Sequence, residues 1–241
     1  MKVEVCIDNI ESALSAEQAG ADRLELCSCL AIGGVTPQYS LIKSAVNFSK
    51  IPCYVMIRPR AGDFLFNRYE VQMMVEDIQI VKALGAKGVV IGALTAQAEI
   101  DVKICETLIN AAEGLGVTFH RAFDLCHHPF DSLEQLIALG CERVLTSGQK
   151  NTAPQGEGLL KQLVEQADNR ISIMAGAGVN AENAQTLVKN TGIQELHLSG
   201  KSYRLSQMKW QSDAVMGANA EDDQKIWISD FNKIKAVKAL F

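Results

Sequence analysis

The sequence predicts a (β/α)8 barrel, and three observations carry that expectation. Eight short apolar runs of strand character recur along the chain, each followed by a segment of helical period. The length of 241 residues gives about 30 per unit, the size of one βα repeat. Connections after the strand-like runs are long, whereas those before them are short and marked by glycine, which is the asymmetry of a barrel whose chemistry sits at one mouth. Strict βα alternation without hairpin turns implies a parallel sheet. A doubly wound sheet is the alternative, but no reversal of strand order is marked and the first βα turn lacks a G-x-G-x-x-G motif.

The elements follow in order. A strand at 2–7 leads to a helix at 11–19, and a strand at 22–26 to a helix at 41–48. The third and fourth units pair 52–57 with 70–84 and 88–91 with 101–115. The fifth to seventh pair 117–120 with 132–139, 143–145 with 158–166, and 171–174 with 181–189. The eighth pairs 195–198 with 230–240, with Ser229 as candidate N-cap. Gly20, Gly85, Gly116, Gly140 and Gly192 stand at helix exits, where glycine serves as a C-cap. The 199–228 stretch has little periodicity and is too long for a plain connector, so a lid or a short extra helix is expected there.

Composition narrows the function classes. The chain is 48% hydrophobic, which is too apolar for a disordered protein. With 23 Lys+Arg against 28 Asp+Glu, its net charge of −5 gives no reason to bind nucleic acid or an anionic membrane. No apolar run approaches a membrane span and acids interrupt the N-terminus, so a cytoplasmic protein is expected. Seven cysteines, with no C-x-x-C, read as mostly buried thiols of a reducing compartment. Helices packed outside a barrel also offer flat surfaces for symmetric contacts, so a homo-oligomer is expected.

Strand alternation sorts side chains by face. Val3, Val5, Ile7, Leu24, Leu26, Val55 and Ile57 point outward to the helices. Glu4, Cys6, Glu25, Cys27, Met56, Arg58, Thr118, His120, Glu195, His197 and Ser199 point into the barrel. Branched apolar side chains normally fill that space, so acids, thiols, imidazoles and an arginine there need a reason. Glu4, Arg23, Glu25 and Glu195 could form a buried ion-pair network. Cys6 and Cys27, at corresponding ends of adjacent strands, could share one ion or a disulfide, and barrel closure would bring His197 to the same arc. Two thiols and an imidazole suit a soft or borderline cation, Cu(I) or zinc.

The opposite arc reads as anion chemistry. Arg58 and Arg60 follow the third strand and Arg121 the fifth; guanidinium forks match carboxylate or phosphate, although Arg60 and Arg121 could equally pair with Asp63 and Asp124. Gly176 and Gly178 follow the seventh strand and open a helix, the usual barrel phosphate position, and Ser199 adds a hydroxyl. Glu25 and His120 are the acid/base candidates for an enzyme acting on a small phosphorylated or carboxylated metabolite. No organic cofactor is evident.

Longer strings are specific. Glu4-Val5-Cys6, the 20–27 segment GADRLELC, the 33–37 segment GGVTP, the 56–64 segment MIRPRAGDF, the 118–124 segment TFHRAFD, the 143–148 segment RVLTSG, and His197 with Ser199 together resemble the CutC family across nearly the whole chain. The resemblance implies a cytoplasmic (β/α)8 barrel and copper homeostasis, with Cys6 and Cys27 as Cu(I) ligands. The sequence departs from the family pattern at Cys29, at Phe66 in place of a frequent Tyr, and in the Gln-Ser that follows Trp210.

Overall fold

The computed structural model describes residues 1–210, 213–216 and 221–241. Eight parallel strands close into a barrel in sequence order: β1 (Lys2–Ile7), β2 (Arg23–Leu26), β3 (Cys53–Met56), β4 (Gly88–Ile91), β5 (Gly116–Phe119), β6 (Arg143–Thr146), β7 (Ser172–Ala175) and β8 (Glu195–Leu198). The seam is β8 against β1, where Glu4 stands opposite His197. Around the barrel lie α1 (Ile10–Gln18), α2 (Tyr39–Phe48), α3 (Arg68–Ala83), α4 (Val102–Ala111), α5 (Pro129–Ala138), α6 (Glu157–Ala167), α7 (Ala184–Thr191) and α8 (Phe231–Lys238). Val3, Val5, Ile7, Leu24, Leu26, Val55 and Ile57 pack in the apolar layer between barrel and helices, fully removed from water. Strands buried on both faces are what a covered parallel sheet requires.

Four local expectations change. Helix α4 ends at Ala111, and Gly114 rather than Gly116 takes the left-handed turn, because Gly116 already pairs with Gly88 in the sheet. Asp230, not Ser229, caps α8: its carboxylate accepts the Lys233 N–H at 2.9 Å. Helix α7 begins at Ala184, so the glycine-rich loop runs through a turn closed by Asn180 N–H to Asn183 Oδ1 before any helix starts. The segment after β8 forms an antiparallel ribbon, β9 (Lys201–Leu205) with β10 (Lys225–Ser229), and a short 3-10 turn at Asp222–Gln224 leads into β10. The Gln-Ser departure, Gln211 and Ser212, lies outside the described residues.

The lower half of the barrel is filled by charge. Arg23 bridges Glu4 and Glu195, with 2.5 Å to the latter. Arg143 reaches Glu195 at 2.7 Å and Thr118 Oγ1 at 2.8 Å. The Tyr54 ring lies 5.2 and 5.3 Å from the two guanidinium carbons. Buried ions persist only when paired and hydrogen-bonded, and each of these is. Arg143, rather than Glu25, completes the network that the sequence suggested.

Candidate functional site

Above that layer the C-terminal ends of the strands open into a cavity of about 1200 Å³, lined among others by Cys6, Glu25, Arg58, His120, Gly178 and His197. Register fixes its layers. Glu4 and His197 are level across the β1–β8 seam, and Cys6 and Glu25 are level across β1–β2, one inward-facing step higher. His197 Nδ1 lies 2.9 Å from Glu4 Oε1, and Nε2 lies 3.8 Å from Glu25 Oε2. Cys6, Glu25 and His197 each present one donor atom, all within 4.8 Å of one another. Gly176 leaves room for this ring: a Cβ there would approach Leu145 Cδ1 to 2.6 Å and His197 Cβ to 3.3 Å.

The electrostatics follow from burial and neighbours. Burial raises the Glu25 carboxyl to about 7, further helped by the Glu4 charge and only partly opposed by His197. Burial works against Glu4 too, but hydrogen bonding to His197 and the Arg23 charge outweigh it and bring that carboxyl to about 2. Burial would discharge His197, yet Cys6, Glu25 and Glu4 hold the imidazolium well above the usual histidine range. Burial and then the Glu25 charge push the Cys27 thiol well up. Cys27 packs with Tyr54, Met56 and Val90 and directs Sγ to Glu25 Oε2 at 3.5 Å. It does not join the convergent donor set, and both Cys6 and Cys27 are free thiols.

On the opposite wall, His120 Nδ1 accepts the Ala122 N–H at 3.1 Å, which leaves the ring proton on Nε2. Burial, followed by the Arg58 charge, lowers this imidazole to about 3, so it is neutral at pH 7. Arg58 spends Nη1 on the carbonyls of Ile32 and Gly34 and Nη2 on that of Gly62, and lies 4.7 Å over the Phe64 ring. Among the described residues no carboxylate forms an ion pair with it. Among the described residues, three buried polar atoms of cavity-lining residues have no hydrogen-bond partner: Glu25 Oε1, His120 Nε2 and Arg58 Nε.

The other predicted anion residues are distributed differently. Arg60 pairs with Glu70 at 2.5 Å and Asp63 at 3.0 Å, fastening the loop to the capping box that starts α3, away from the cavity. Arg121 reaches the cavity rim while pairing with Asp124 at 2.7 Å. Asp124 in turn accepts from Thr146 and from Ser147 N–H, and so ties the loop after β5 to the one after β6. Gly176 donates its N–H to Thr146 and does not line the cavity, whereas Gly178 and Ser199 do. Among the described residues Ala177, Gly178 and Val179 donate no backbone hydrogen bond, which leaves a short row of N–H groups at the mouth. Sequence reasoning gave no role to Lys201 or Trp227 of the ribbon, which also line the cavity, with the ammonium 4.2 Å from the Trp227 ring centroid.

Fold and site together define a (β/α)8-barrel protein with a polar-lined cavity at the C-terminal mouth. The chain matches the model of the CutC family over residues 1–202. It is 72% identical over 238 residues to a family protein CutC of Pasteurella multocida, covering 99% of this chain and 98% of that one. The chain therefore belongs to the CutC family. The crystal structure of CutC from Streptococcus agalactiae, whose provisional name is copper homeostasis protein, superposes with a TM-score of 0.79 at 39% identity, covering 83% of this chain and 98% of that one. Phosphoribosylanthranilate isomerase from Thermotoga maritima, at 13% identity and a TM-score of 0.59 over 99% and 96% of the two chains, shares the fold alone.

Proposed function

We propose that this protein is an enzyme acting on a small phosphorylated or carboxylated metabolite at the barrel mouth. The observation that carries this reading is the set of buried, unpartnered polar atoms on Glu25, His120 and Arg58 around one cavity. Unmade buried hydrogen bonds cost about 1–3 kcal/mol each, and a polar ligand between the two walls of the cavity has all three to satisfy. An anionic ligand also compensates the Arg58 charge, which no carboxylate does. The free N–H groups of 177–179 add donors for a phosphate or carboxylate. His120 then serves as a neutral N–H donor to a carbonyl oxygen, and Glu25 moves the proton. Seven free thiols suit a reducing cytoplasm, and self-association through the outer helices belongs to the same reading. The test is thermal: sulfate or phosphate at tens of millimolar should raise the melting temperature of the wild type and do so far less for Arg58→Ala. Equal shifts, or none, would remove the anion.

A second reading has its own observation, the convergence of Cys6, Glu25 and His197. His197 presents its other nitrogen to Glu4, as metal-ligating histidines do to a carboxylate. The set has one thiol rather than the two expected from Cys6 and Cys27, so it fits copper through a Cys6–His197 pair or a borderline cation such as zinc. Cu(I) titration under reducing conditions should give about one equivalent. Cys6→Ser should abolish binding and Cys27→Ser should leave most of it; full retention in the double variant would end this reading.

A further inference from the structure

We propose that Cys6, His197 and Glu4 form a nucleophilic triad, with Cys6 Sγ bonding covalently to a carbonyl carbon of the ligand in the mouth cavity. The inference deepens the enzyme reading above and rests on it. A nucleophile needs a base within reach and a third group that orients the base. Here His197 Nδ1 is held 2.9 Å from Glu4 Oε1, and the imidazole lies with Cys6 Sγ in a donor set no wider than 4.8 Å, while the thiol's hydrogen bond in the resting fold goes to the Leu198 carbonyl at 3.8 Å. Glu4 is itself immobilised by Arg23. Gly176 supplies the clearance beside the imidazole. The three residues stand on the two strands of the seam, so rigid backbone rather than a loop sets their spacing. Cys6 is 7% exposed, yet it lines the cavity, so access comes from the mouth alone.

The step balances without oxidant or reductant. Cys6 Sγ attacks the carbonyl carbon as its proton leaves by way of His197; the S–C bond forms and the carbonyl π bond breaks. The oxygen then takes that proton, so thiol and carbonyl become one hemithioacetal. His120 lines the same cavity on the opposite wall as a neutral N–H donor.

Alkylation of the full chain by iodoacetamide at pH 7, with a chelator present and each cysteine peptide followed by mass spectrometry, tests this. Cys29 is exposed and free on the same chain and serves as internal standard. Cys6 should react at least tenfold faster than Cys29 despite its lower exposure. His197→Asn should remove that advantage without changing the Cys29 rate, and glycolaldehyde phosphate should protect Cys6 alone. Glu4→Gln should slow Cys6 as well, which keeps the test open if His197→Asn melts early. A Cys6 rate no greater than that of Cys29, or one indifferent to both substitutions, overturns the triad. The Arg58-dependent anion shift reports separately, so either idea can fail alone.

Discussion

Burial and the Arg58 charge remove from His120 the titration that histidine usually shows near neutrality. Its folded value of about 3 lies below the ordinary value of 6.5, so the unfolded chain takes up a proton first as pH falls. The stability it contributes is complete above about pH 6.5 and is lost progressively toward pH 3. Each pH unit in that window is worth about 1.4 kcal/mol. Compared with the wild type, His120→Gln should therefore gain about 2 kcal/mol on going from pH 7 to pH 5. Urea unfolding of both proteins at the two pH values measures the difference; a constant gap would mean that the imidazole titrates in the fold as it does in the unfolded chain. This behaviour was hidden in the sequence. Strand parity turned His120 inward, but its tautomer is set by the Ala122 amide and its charge by burial and then by Arg58, all of which depend on the folded loops.

At the scale of elements, the ribbon is fastened to the first helix rather than to the barrel. Asn9 Nδ2 donates to Trp227 O at 3.1 Å, Ser15 Oγ to Ser229 O at 2.8 Å, and Ser229 N–H to Ser12 Oγ at 2.9 Å. Arg204 adds an exposed pair with Glu11, which carries little energy in water. The buried Ser229 amide has the Ser12 hydroxyl as its acceptor, so Ser12→Ala should cost about 1–3 kcal/mol. Denaturant unfolding checks that value, and a cost under half a kcal/mol would show that another acceptor replaces the hydroxyl. Barrel strands were legible because their period of two and their glycine boundaries are local signals. The ribbon was not: Lys201–Leu205 and Lys225–Ser229 are short, mostly exposed and separated by 19 residues, so neither hydropathy nor a turn motif announces their pairing.

Across the whole molecule, the barrel is layered by polarity, with paired ions below and unpaired polar atoms above. Arg23 is the keystone of the lower layer, since it serves both Glu4 and Glu195. Arg23→Met should cost about 3–5 kcal/mol, because it leaves two buried carboxylates short of a counter-charge. Calorimetry against the wild type decides; a neutral result would mean that Arg143 alone satisfies both acids. Parity alone placed Glu4, Cys6, Glu25 and His197 inside, so much of the site could be read from the chain. The sequence paired Cys6 with Cys27, and it could not show that Cys27 stands outside the convergent set, because Cys27 lies one residue beyond β2 and turns to Glu25 within an apolar cluster. The pairs of Arg60 with Asp63 and of Arg121 with Asp124 were among the sequence's alternatives, whereas the pair of Arg60 with Glu70 depends on how the folded loop meets α3.

The seam between the last strand and the first has a consequence for the order in which function appears. The contact from His197 to Glu4 joins residues 193 positions apart, so no shorter stretch of the chain contains it. As the protein is synthesised, the first residues of the site wait for nearly the last strand to emerge. Six or seven βα units can order their helices and still lack the contact between His197 and Glu4. Closing the ring and making that contact are one event, and a chain that stops before residue 197 lacks it however well its earlier parts have folded.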